Sequence, residues 1–121
     1  MVIEYKTAKL AKKVGFDTAY EFYDLEGNLQ PFGMVGGWSK CNTKNYAAPT
    51  QSDLQKWLRE VHNIDIFLYK ASCNYYYKVE YNKGFVKTSD KNYVKYEKAL
   101  EEGLYKALEI LNERKDTAGN T

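Results

Sequence analysis

The stretch from Thr50 to His62 constrains this chain more than any other, because a start signal, a stop signal and one apolar stripe agree within it. Leu54, Trp57, Leu58 and Val61 fall at i, i+3, i+4 and i+7, which places them on one face of a helix. Gln51 lies a turn ahead on the same side, while Asp53, Lys56, Arg59, Glu60 and Asn63 point largely elsewhere. Thr50 is a good N-cap, with Asp53 at N3 able to reach back in a variant of the capping box. Pro49 holds Ala48 extended and so bars an earlier start. His62 and Asn63 close the helix, and the chain then turns β-branched and aromatic.

The rest of the chain is read around that helix. Thr7 to Val14 is a short helix with Thr7 as its cap, a stripe of Leu10, Ala11 and Val14, and Gly15 placed for a Schellman closure by Phe16. Tyr20–Asp24 reads as a strand, Leu25-Glu26-Gly27-Asn28 as a turn using positive φ at Gly27 and Asn28, and Leu29 onward as a return strand. Pro31 puts that return strand at an edge or bulge, and Gly33 to Ala48 reads as a long irregular connection. Ile64–Tyr69 and Tyr75–Tyr81 are strands joined by a turn at Ala71–Asn74, with a short strand at Phe85–Lys87 after Asn82-Lys83-Gly84. A last helix runs from about Tyr96 to Leu111, its stripe formed by Tyr96, Leu100, Leu104, Ala107, Leu108 and Leu111. Gly103 on that apolar face costs about 1 kcal/mol relative to Ala, which implies another element lying close against it.

The order α-β-β-α-β-β-α is rich in hairpins. It predicts an α+β fold: an antiparallel sheet of about four strands with three helices packed on one face. At 121 residues the chain is one domain, residues 1–111, followed by a polar tail from Asn112 to Thr121 that is expected to be flexible.

Composition excludes more than it assigns. A net charge of +2 argues for neither nucleic acid nor anionic lipid by itself, and no apolar run reaches the ~20 residues of a membrane span. Met1 to Asp17 lacks the apolar segment of a secretory signal. Cys41 and Cys73 have no metal-ligand spacing and only one histidine to help them, so the expectation is two reduced thiols and no metal or cofactor, with a disulfide between them left open. His62 has no assignable nucleophile or carboxylate partner and reads first as a structural residue at a helix end. Asp24, Glu26, Glu97, Glu101 and Glu102 read as solvated carboxylates. Gly33–Lys40 contains glycines and a lysine but lacks P-loop spacing.

The outlier is aromatic content: 12 Tyr, 5 Phe and 2 Trp. In the strand Tyr75–Tyr81, alternation sets Tyr75, Tyr77, Val79 and Tyr81 on one face and Tyr76, Lys78 and Glu80 on the other. One face must cover the helices, and alternation alone does not choose between them. The candidate binding surface is Tyr75, Tyr76, Tyr77, Lys78 and Tyr81, with Trp38 from the glycine-rich connection. Such a surface suits a protein partner or a second copy of the chain. With Lys70, Lys83 and Lys87 interleaved, single-stranded nucleic acid is the alternative. A small hydrolase using His62 is the third expectation.

The motif Ala48-Pro49-Thr50-Gln51 followed by Leu54–Glu60 and His62 resembles a family of small proteins encoded by phages, prophages and other mobile elements of gut bacteria such as Bacteroides. Lys9–Phe16 and Tyr96–Leu104 are similar to the same family, whereas Lys95 departs from it where a capping Ser or Thr is usual. The resemblance implies a mobile-element protein of the bacterial cytoplasm and carries no activity, cofactor or site residue.

Overall fold

The computed structural model describes residues 1–30, 38–82 and 84–119, which form three helices and eight strands. These are α1 (Tyr5–Lys13), β1 (Thr18–Ala19), β2 (Phe22–Asp24), β3 (Leu29–Gln30), β4 (Ser39–Lys40), β5 (Asn45–Ala47), α2 (Gln51–His62), β6 (Asp65–Ala71), β7 (Asn74–Tyr81), β8 (Phe85–Thr88) and α3 (Tyr96–Gly119). The readings made for Pro31, for Gly33 to Gly37 and for Lys83 lie outside the described residues.

The α+β class and the antiparallel pairing hold, but the single sheet of about four strands does not. The described strands form three small sheets, β1–β4, β3–β2–β5 and β6–β7–β8. The separation has a local cause. Strand β2 is flanked by β3 on one side and β5 on the other, and the edge of β6 is met by α2, where Gln55 Nε2 donates to the Ile66 carbonyl at 3.0 Å. The hairpin therefore grows no further on that side. The expected irregular connection also contains two strands, β4 and β5, which return to pair with β1 and β2.

Helix α2 forms where its signals place it. Thr50 Oγ1 accepts from the Asp53 amide at 3.1 Å, and Asn63 ends the helix in the left-handed region with φ 55°. Leu54 and Leu58 are fully buried, and Trp57 is half-buried, edge-on to Phe16 at 5.1 Å. Val61, expected on the stripe, is 60% exposed. The left-handed turn brings Ile64 back under the helix end, its amide bonding to the Leu58 carbonyl at 3.0 Å, so Ile64 takes the buried place.

Helix α1 closes as expected: Phe16 N donates to Ala11 O at 2.9 Å and Gly15 N to Lys12 O at 3.1 Å, with Gly15 at φ +108°. Its start differs. Thr7 is not the cap; the helix begins at Tyr5, and Thr7 is wholly buried. The residues ahead of it are fixed by pairing with the approach to α2, through Ile3 N to Pro49 O at 3.0 Å and Gln51 N to Met1 O at 2.8 Å.

Helix α3 is the centre of the molecule. Ala99, Leu100, Glu101, Gly103, Leu104, Ala107, Leu108, Ile110 and Leu111 are all buried, an arc far wider than a single stripe. The arc is wide because α3 packs on β6 and β7 and also on α1 and α2. Helix α1 packs on α3 and β5, so the three helices do not share one face of one sheet. A Cβ built at Gly103 lies 3.1 Å from Ile66 Cγ2 and from Tyr77 Cβ, which accounts for the glycine. Tyr96 lies outside the core at 47% exposure, edge-on to Tyr75. The helix continues to Gly119, eight residues past the expected end at Leu111, because Asn112, Glu113 and Arg114 tolerate a helix without an apolar stripe to demand it.

The carboxylate of Glu101, expected in solvent, is instead 2% exposed. Its Oε2 accepts from Glu4 N at 3.0 Å and from Thr7 Oγ1, and its Oε1 accepts from Gln51 Nε2 at 3.1 Å.

Two substitutions test this packing by urea denaturation. Glu101→Ala leaves three donors without their acceptor and should lower stability by about 3 kcal/mol. Gly103→Ala should destabilise by about 1 kcal/mol, because the overpacking against Tyr77 Cβ outweighs the gain in helix propensity. A stabilised variant would show that the β7 backbone yields.

Candidate binding surface

The β6–β7 hairpin turns through only two residues, Ser72 and Cys73, both at positive φ (51° and 69°). Two such residues match the right-handed twist of the flanking strands and fix the register Ala71↔Asn74. From there the pairing runs in step: Tyr69 opposite Tyr76, Leu68 opposite Tyr77, Phe67 opposite Lys78, Ile66 opposite Val79. Strand β8 adds Val86 opposite Glu80 and Thr88 opposite Lys78.

Register decides which side is wet. Tyr77 and Val79 are buried on the side facing α3, and Tyr75 and Tyr81 share that side half-buried. Of the candidate residues, then, Tyr75, Tyr77 and Tyr81 belong to the packed face or its margins. Tyr76 and Lys78 lie on the outer face. That face also carries three residues outside the candidate set read from the sequence: Phe67, Tyr69 and Val86, exposed at 46%, 44% and 48%. The signal was present in the alternation Asp65, Phe67, Tyr69 along β6, where the run Ile64–Tyr69 reads as apolar throughout unless its partner strand is known.

The outer face is ordered by its own contacts. Tyr69 and Tyr76 stack with centroids 5.3 Å apart and planes 12° apart. Lys78 Nζ stands 5.4 Å from the Phe67 ring centroid. Its charges are Lys78 against Asp65 and Glu80, so the face is not basic. Trp38 is not part of it. Trp38 meets Tyr20 edge-on at 5.0 Å and borders a small cleft of about 230 Å³ with Val2, Glu21, Pro49 and Asp53, none of which comes from β6, β7 or β8.

The other singled-out residues are dispersed. The His62 ring meets Trp57 edge-on at 4.5 Å, and burial, together with the positive charge of Arg114, holds its pKa below the ordinary value. Among the described residues it has no hydrogen bond to a nucleophile or carboxylate. Asp24 accepts from the amides of Glu26 and Asn28 at 2.9 Å each and so organises the β2–β3 turn; these bonds lower its pKa. In that turn only Gly27 takes positive φ. Cys41 and Cys73 are free thiols, Cys41 just after β4 and Cys73 in the β6–β7 turn. Among the described residues no three His, Cys, Asp or Glu side chains are grouped to hold a metal, and no helix is long and apolar enough to cross a membrane.

No family model, curated protein or solved structure matches the chain.

On the packed face, burial pushes the Tyr77 phenol up to about 12, with Tyr93 and Glu102 adding to the shift. Tyr93 stacks beside it at 6.4 Å and is raised by the same cause. Because the folded pKa lies above the ordinary 10.0, the neutral phenol's contribution to stability is complete below pH 10 and is lost as pH rises toward 12. Tyrosinate absorbance of the native protein should therefore show a late fraction, titrating near pH 12, that Tyr77→Phe removes.

Proposed function

We propose that this protein is a non-catalytic accessory module that acts by pairing with a second copy of itself through the outer face and free edge of β6–β7–β8. The observation that carries this is a three-stranded sheet with α3 on one face and, on the other, Phe67, Tyr69 and Val86 close to half exposed beside Tyr76. Every residue of the edge strand β8 is exposed. An edge of this kind offers unpaired backbone groups to another strand, and pairing across a two-fold axis satisfies both copies with one surface. Joining β8 to β8 would extend two small sheets into one, and packing outer face on outer face would cover the aromatic rows of both copies.

The mixed charge of the outer face weakens nucleic-acid binding there, since a strand-tracking surface needs cations in excess. The surroundings of His62 lend no support to a hydrolase. A role in a phage or other mobile element, in a bacterial cytoplasm, rests on the resemblance of the Ala48–His62 motif.

Size-exclusion chromatography with light scattering over a wide concentration range tests the pairing. A dimer should form on concentration, and Tyr69→Glu with Val86→Lys should weaken it by at least about tenfold, or ~1.4 kcal/mol. A wild-type chain that stays monomeric at the highest concentration would overturn the proposal.

A further inference from the structure

A second surface, distant in sequence from the hairpin, is strongly cationic. Helix α1 turns Thr7, Ala8 and Ala11 into the core, which leaves Lys6, Lys9, Lys12 and Lys13 along its outer side. These four lysines line a cleft of about 530 Å³, with Tyr46 of β5 and Tyr105 of α3 among its other walls. No carboxylate lines it among the described residues. Four positive charges in one cleft stand out in a chain whose net charge is only +2.

The cleft is held in shape. Lys6 Nζ lies 4.7 Å from the Tyr105 centroid and Lys12 Nζ 4.9 Å from the Tyr46 centroid. Lys12 also donates to the carbonyls of Asn42 and Asn45, at 2.5 and 2.9 Å. Those bonds position its ammonium without neutralising it, and among the described residues neither Lys9 nor Lys12 has a carboxylate partner. The charges facing the row from α3 are Glu102, which takes Lys6 at 3.1 Å and is shared with Lys98, and the pair Lys106–Glu109. Helix-dipole complementarity explains lysines in the last turn, at positions 12 and 13, but not those at 6 and 9.

From Lys6 to Lys13 the helix rises about 10 Å, so the row matches a run of neighbouring phosphates better than a single one. We propose that this cleft is a binding site for a linear chain of phosphates, supplied either by a single nucleic-acid strand or by a nucleoside triphosphate. The volume falls within the range of about 300–1,000 Å³ typical of ligand pockets. The site is separate from the pairing surface, so either can fail alone.

The test is fluorescence anisotropy with a labelled oligothymidylate at low salt, with a nucleoside triphosphate and inorganic triphosphate as competitors. The wild-type chain should bind, and Lys9→Gln with Lys13→Gln should weaken binding at least about tenfold and reduce the slope of log K against log salt by about 1.4, at ~0.7 per lost contact on a single strand. Lys56→Gln, on α2, should change affinity less than about twofold, and circular dichroism should show α-helix retained in each variant. Displacement by the small triphosphates at micromolar concentration identifies a nucleotide site, and displacement only by unlabelled strand identifies a nucleic-acid site. Absence of binding at low salt by both the oligothymidylate and a labelled nucleoside triphosphate, or equal loss in Lys56→Gln, overturns the proposal.

Discussion

Glu4 and Thr7, Gln51 and Glu101 come from three distant parts of the chain, yet they meet at the Glu101 carboxylate. A buried carboxylate is costly unless its lone pairs are taken. Here they are taken at the beginnings of two helices, where unsatisfied amides and the positive end of the helix dipole favour negative charge. Helix α1 has no side-chain cap of its own at Glu4; α3 supplies one from almost a hundred residues away. Gln51 also donates to the Glu97 carbonyl at 2.9 Å, so the start of α2 is tied to the same turn of α3. The relative placement of the three helices follows from this one knot.

With α3 fixed centrally, the sheets have little freedom. Gly103 lets β6 and β7 approach α3 closely, and that contact determines which face of the hairpin is dry. The outer face is then uncovered, and its aromatic rows are available for a partner. On the other side of α3, Tyr5 fastens α1 to the β3–β2–β5 sheet through edge contacts with Tyr23 and Tyr46 at 5.5 and 5.7 Å and a bond from its hydroxyl to the Leu25 carbonyl. Tyr23 in turn donates to the Ile3 carbonyl. Tyrosine serves the fold here as a half-buried ring, with a satisfied tip at Tyr5 and Tyr23, which is why so many tyrosines need not imply so large a binding surface. The same arrangement leaves the lysines of α1 facing outward over Tyr46 and Tyr105.

What the sequence by itself determined was local. The limits of α2, the Schellman closure at Gly15, the hairpin at Gly27, the alternation of β7 and the need for small size at Gly103 follow from rules acting over a few residues. Val61 and Tyr96 fitted the helical period but lay beyond the end of what they could cover, and only neighbours reveal where a core stops. The tertiary structure decided the rest. It divided the strands among three sheets, because which edges are already occupied is a long-range fact. It buried Glu101, because the donors that make burial affordable come from two other helices. It chose the wet face of the hairpin, because alternation defines two faces and packing against α3 selects one.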